Sequence, residues 1–165
     1  MLMNVYIDID GTLTEWRKDA TIEEITAPGF FLSAKPCEHM VKAIRDLLQE
    51  NCRYNLFILS STFTDDHSAI EKKAWIKTHL PEMPESHIIL TPYGHPKGQY
   101  ISCSKESVLI DDNTDMLFTW PGVGVKIYNG VNGTKGRWTG YSLHSSMKPE
   151  ILKNQLLGIL SFCEC

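Results

Sequence analysis

The period of hydrophobic and polar positions changes from block to block along this chain. Short apolar runs alternate with segments in which apolar residues return every three or four positions. Residues 4–10, Asn-Val-Tyr-Ile-Asp-Ile-Asp, read as a buried strand, and residues 54–60 read as a second. Between them Met40, Val41, Ile44, Leu47 and Leu48 share one face of a helix over 36–49, with Pro36 suited to its start. Asp65 and Asp66 suit the cap of a helix running to about Leu80, with Ala69, Ile76 and Leu80 inside and Pro81 as its stop. Residues 87–90, 107–111 and 123–128 supply three more short strands, and 151–160 has the spacing of a final amphipathic helix. Strands alternating with helices predict an α/β fold, a three-layer α/β/α Rossmann-like sandwich around a mostly parallel sheet. At 165 residues the chain reads as one domain over 1–165. Segment 15–35 has weak periodicity and reads as a small insertion over the sheet's rim, and Gly- and Asn-rich 130–140 as a second excursion.

Ligands of parallel sheets gather at the carboxyl ends of the strands, which sorts the polar residues. Asp8 and Asp10 end the first strand, Ser60, Ser61 and Thr62 the second, and Asp111 and Asp112 a later one. Two acids two residues apart on a strand point to one face, and like charges that close are costly to keep ionised. The pair therefore points to a cation or a proton-transfer site, with Gly11 turning the backbone away. Four convergent carboxylates suit magnesium, which takes oxygen ligands and leaves positions for substrate phosphate. No Gly-rich loop ending in Lys-Ser/Thr is present, so Ser60, Ser61 and Lys97 are the candidate phosphate donors.

Charge and cysteine content narrow the partners. The formal charge is −4 with lysines and arginines dispersed, so there is no footprint for duplex nucleic acid, whereas a small anionic ligand fits. Five cysteines and no secretion-type leader fit a cytoplasmic protein, and no apolar run spans a membrane. Cys163-x-Cys165 reads as free thiols rather than a metal clip, and Asn132-Gly133-Thr134 as a turn.

In order along the chain, Asp8-Ile-Asp10-Gly-Thr-Leu-Thr, Phe-Ile-Leu-Ser60-Ser61, Pro96-Lys97-Gly and Val-Leu-Ile-Asp111-Asp112 resemble the four motifs of haloacid-dehalogenase-type phosphatases. Pro28-Gly-Phe-Phe31, Glu71-Lys72-Lys73-Ala74-Trp75-Ile76, Gly124-Val-Lys-Ile-Tyr-Asn-Gly and Gly136-Arg-Trp138 are similar to the 5'(3')-deoxyribonucleotidase branch, in its bacterial and phage members. The resemblance implies a magnesium-dependent phosphomonoesterase acting on (deoxy)nucleoside monophosphates through an aspartyl-phosphate. It implies Asp8 as nucleophile and Asp10 as general acid and base. Magnesium would be held by Asp8, the backbone carbonyl of Asp10, and Asp111 or Asp112. Ser60, Ser61, Lys72 and Lys97 would contact phosphate, and Phe31 would lie near the nucleoside. Taken singly, the serines read as a helix cap, Lys72 as a solvated helix residue and Phe31 as core, and Lys105 rivals Lys97.

One departure stands out: only 49 residues, Gly11 to Leu59, separate Asp10 from Ser60. That is short for a cap-bearing member of the branch, so the cap over 15–35 is reduced, and a homo-oligomer would supply further cover. The open cap also suits another small phosphate ester or a polynucleotide 3'-phosphate. A receiver-like module that only accepts phosphate uses similar residues, but there an acid pair precedes the acceptor Asp, and here the pair comes last.

Overall fold

A computed structural model describes residues 2–50, 53–65, 67–102, 104–133 and 136–163. Six strands form one parallel sheet: β1 (Met3–Ile7), β2 (Tyr54–Thr62), β3 (Ile88–Pro92), β4 (Ser107–Asp111), β5 (Val123–Tyr128) and β6 (Tyr141–His144). Their spatial order is β3-β2-β1-β4-β5-β6. The chain builds outward from β1 through β2 and β3, then returns to the other side of β1 with β4. The reversal puts the topological switch point between β1 and β4, where open α/β sheets bind ligands.

Helices α2 (Glu38–Glu50), α3 (Ser68–His79) and α5 (Pro149–Cys163) bury apolar faces on one side of the sheet. Val5 and Ile7 of β1 point into that layer, against Met40, Ile44, Leu152 and Leu156. Tyr6, the residue between them, points the other way into a smaller cluster with Leu59, Leu109, Leu117 and Trp120. This period of two is how a strand covered on both faces spends its apolar residues. The short helix α4 (Thr114–Thr119), capped by the Asn113 side chain, closes the second face.

The expected α/β sandwich is present, and the differences are local. Strand β1 stops at Ile7 rather than running to Asp10, because the backbone N–H groups of Thr12, Leu13 and Thr14 all turn back onto the carbonyl of Ile9. Asp8 therefore sits just past the strand end and Asp10 on the turn that follows, rather than both on one strand face. Strand β2 continues to Thr62 by pairing with Pro92, so Ser60 and Ser61 are strand residues and not a helix cap. Strand β6 has no strand-like signature, since only Leu143 of its four residues is buried. Segment 15–35 holds the four-residue helix α1 (Ile22–Ile25), in which Thr21 and Glu24 form a capping box. Its two ends are tied by a Thr14–Pro36 bridge and the Glu15 N–H on the Lys35 carbonyl at 2.8 Å. Asp65 caps α3 by accepting from the His67 and Ser68 N–H groups. The expected cap at Asp66, the thiols of Cys52, Cys103 and Cys165, and Thr134 lie outside the described residues. Cys37 and Cys163 are free thiols.

Candidate active site

The floor of the site forms where β1 and β4 end side by side. The Asp8 N–H continues the ladder onto the Ile110 carbonyl at 3.0 Å, which sets Asp8 beside Asp111. Lys97, in a short 3-10 turn between β3 and β4, is 4% exposed and lies between the two acids. Its ammonium donates to Asp8 Oδ1 at 2.7 Å and to Asp111 Oδ2 at 2.6 Å. Burial works against this ammonium, but Asp111 and Asp8 together outweigh it and hold the lysine pKa above its ordinary value. Lys105, the other lysine before β4, is exposed.

Three carboxylates, of Asp8, Asp111 and Asp112, each bring an oxygen within 4.8 Å of the others, and all three residues are buried. Burial raises Asp111 to about 6, with Asp8 adding to the shift and Lys97 opposing it. Burial followed by the charges of Asp111 and Asp8 raises Asp112 to about 8. Burial leads both rises and neighbouring carboxylates add to them, so keeping all three acids ionised without a counter-charge is costly. Hard oxygen donors in that state fit a hard divalent cation, so the triad could hold a metal. The Asp10 carboxylate is not in the triad.

Asp112 is fixed by residues of the neighbouring strand β5 and the loop that follows it. Asn129 Nδ2 donates to Asp112 Oδ2 and to the Gly11 carbonyl, both at 2.8 Å, and Asn132 Nδ2 also donates to Asp112 Oδ2. Buried Lys126 donates from β5 to the Asp112 carbonyl. Gly11 has φ +75°, and a Cβ there would collide with the Asp112 carboxylate and lie 2.9 Å from Asn129 Nδ2.

Asp10 faces a different partner. Lys72, 1% exposed although it lies on α3, donates to Asp10 Oδ2, to the Ser61 carbonyl and to Ser60 Oγ. Burial raises the Asp10 pKa, Lys72 opposes the rise and Asp8 adds to it. The Phe31 ring centroid is 4.4 Å from the same ammonium, a cation–π contact that also shields it from water. Phe31 in turn stacks on Phe63.

These groups line a cavity of about 260 Å³ with a charged floor of Asp8, Asp10 and Lys97 and an aromatic wall of Trp16, Phe31 and Phe63. Ser61 and Asn132 also reach the cavity. Ser60 is fully buried at its edge, within 3.5 Å of Asp10 Oδ2. All nine residues singled out from the sequence therefore converge on one place. Trp16, Phe63, Asn129, Asn132 and Lys126 were not singled out. Lys126 did carry a signal, a lone lysine inside the apolar strand Val-Gly-Val-Lys-Ile-Tyr, and Asn132-Gly133-Thr134 read as a turn without marking the Asn132 side chain.

A phosphate ester bound with its phosphate on the floor would place its organic part against the aromatic wall. No curated protein matches the chain. The family model described as 5' nucleotidase, deoxy (pyrimidine), cytosolic type C protein matches residues 5–136, four fifths of the chain and every residue of the site. The chain thus belongs to this family of haloacid-dehalogenase-type nucleotidases, which are phosphoric monoester hydrolases.

Proposed function

We propose that this protein hydrolyses nucleoside monophosphates, deoxynucleotides foremost, with magnesium and through an aspartyl-phosphate on Asp8. The observation that carries the reading is the separate pairing of the two leading acids. Asp8 shares Lys97 with Asp111, whereas Asp10 meets Lys72 and Ser60 and has a raised pKa. A nucleophile and a proton donor need different surroundings, and these carboxylates have them.

Asp8 attacks phosphorus as the ester P–O bond breaks, and Asp10 gives its proton to the departing oxygen. Asp10 then takes a proton from water as that water attacks phosphorus, the bond to Asp8 breaks, and inorganic phosphate leaves. Lys97, Ser60 and Ser61 donate to phosphoryl oxygens, and Lys72 supports them while holding Asp10. Asp8, Asp111 and Asp112 would hold magnesium, which when bound offsets the repulsion between an anionic carboxylate and an anionic phosphate. Phe31, Trp16 and Phe63 offer apolar faces to the base.

A phosphate-release panel tests this, run with and without magnesium on nucleoside monophosphates, sugar phosphates and 3'-phosphorylated oligonucleotides. Nucleoside monophosphates are expected to be the best substrates, with turnover lost in chelator. In Asp8→Asn turnover is expected to vanish while the far-UV spectrum and melting curve stay those of a folded protein. Phosphate release from no mononucleotide by a clean magnesium-loaded sample would sink the reading, and wild-type activity in Asp8→Asn would refute the nucleophile.

A further inference from the structure

Glu71 is a buried carboxylate in the first turn of α3, and it makes no ion pair among the described residues. Its two oxygens instead accept backbone N–H groups from the excursion. Oε1 takes Gly29 at 2.5 Å, and Oε2 takes Phe31 at 3.2 Å and Leu32 at 3.4 Å. Gly29, at φ +91°, gives the backbone the turn that lets these N–H groups converge, a small nest for an anion filled by the protein's own side chain.

The excursion has few other ties. Phe31 is the one buried residue between 15 and 35. At the two flanks of the nest, His67 Nε2 lies 2.8 Å from the Thr26 carbonyl and Trp75 Nε1 donates to the Ala34 carbonyl at 2.7 Å. His67, Glu71 and Trp75 are spaced by four, so they form one stripe along α3 that follows the segment from 26 to 34. Glu71 is the centre of that stripe and its only carboxylate.

The next residue along α3 is Lys72, which turns into the phosphate site. Phe31 lies between the two. Its backbone N–H is held by Glu71, and its ring stands 4.4 Å from the Lys72 ammonium that holds Asp10. The ring, like Trp16, lines both the active-site cavity and a second one beside it. The position of this aromatic wall relative to the proton donor is therefore set from both ends by neighbouring residues of one helical turn.

We infer that Glu71 is a positioning residue that locks segment 29–32 over the site and so sets the fit of the substrate's organic group against Phe31. The inference rests on the nucleotidase reading above for what that group is. Glu71 touches neither the phosphate donors nor the acids of the floor, so its effect reaches the reaction through Phe31.

The test is Glu71→Gln, which keeps the shape but replaces one accepting oxygen with an NH₂ group that faces backbone donors. Hydrogen exchange read by NMR is expected to speed up about tenfold or more at the amides of Gly29, Phe31 and Leu32, with β1 and β4 unchanged. In steady-state kinetics, KM for a deoxynucleoside monophosphate is expected to rise about tenfold with kcat within about threefold, and kcat/KM for glycerol phosphate, which has no ring, to fall less than about threefold. Glu71→Ala guards against a special effect of the amide and is expected to show the same pattern. Unchanged exchange at the three amides overturns the lock. Equal losses on the nucleotide and on glycerol phosphate overturn the effect on fit and leave a merely structural role. A wild-type protein that splits glycerol phosphate but no nucleotide refutes the nucleotidase reading instead, and the exchange measurement still decides the lock.

Discussion

Lys97→Met removes the ammonium at the centre of the floor while keeping a side chain of similar length. Lys97 is 4% exposed and is held between Asp8 at 2.7 Å and Asp111 at 2.6 Å, with Asp112 completing a triad of buried carboxylates. Removing one partner of a buried ion pair costs roughly 3–5 kcal/mol, because the remaining charge is left without compensation. For a chain of this size each kcal/mol moves Tm by roughly 2–4 °C, so the metal-free variant should melt roughly 6–20 °C lower. The carboxylates can escape part of this cost by taking up protons. Asp111 is already raised to about 6, by burial first, and loss of Lys97 raises it further. A carboxyl with a folded pKa above its unfolded value binds more protons when folded, so its contribution is present at low pH and disappears as pH rises through the folded value. The deficit of Lys97→Met should therefore be small near pH 5 and full by pH 8. Thermal melts of both proteins in chelator at the two pH values measure it. A deficit that is the same at both, or below about 1 kcal/mol at pH 8 as for an exposed pair, would refute the reasoning.

Two further outcomes follow from the same floor. Gly11→Ala puts a Cβ into the Asp112 carboxylate at φ +75°, so it should destabilise by at least about 1 kcal/mol and cut kcat about 100-fold by displacing Asp112; a near-wild-type kcat would count against the close approach. In the chelated wild-type protein, Asp111 at about 6 and Asp112 at about 8 both exceed the ordinary carboxylate value of 3.8, so Tm should fall as pH climbs from about 5 to about 9. Added magnesium should flatten that slope, and a chelated Tm that rises across the window would contradict the pKa directions.

The sheet and the floor were legible in the sequence for one physical reason. A strand buried on both faces has to be apolar along its length, so polar residues collect where it ends, and β1, β2 and β4 each announce their carboxyl ends that way. Asp8, Asp10, Ser60, Asp111 and Asp112 follow directly. Lys72 was harder to read: its spacing puts it on the same face of α3 as Ala69 and Ile76, but a lysine on a helix reads as solvated. Its burial comes from Asp10, Ser60 and Ser61 at the strand ends and from the Phe31 ring 41 positions earlier, contacts that no local period encodes. Strand β6 was missed on similar grounds: a four-residue edge strand with one buried side chain has almost no alternation to detect. Asn132 reads as a turn residue, and Asn129 stands just before the Gly- and Asn-rich excursion. The Asn129 Oδ1 accepts from the Val131 and Asn132 N–H groups, while its Nδ2 and that of Asn132 are left over to hold Asp112.

Charge gives the site its internal logic. Four carboxylates, of Asp8, Asp10, Asp111 and Asp112, face three buried ammonium groups, of Lys72, Lys97 and Lys126. Lys126 donates to the Asp112 carbonyl rather than to its carboxylate, and burial lowers its pKa. Asp112 is raised to about 8 against about 6 for Asp111, in both cases by burial first, with the charges of neighbouring acids adding to it. A phosphate monoester brings further negative charge to the same floor, and Lys97 is already shared between two acids. Binding it without a cation would place the new charge against Asp111 and Asp112, whose carboxyls are already raised above the ordinary value. A divalent cation on the triad would relieve that cost by favouring the ionised carboxylates, and the two asparagines that orient Asp112 would then support the cation as second partners of its ligand.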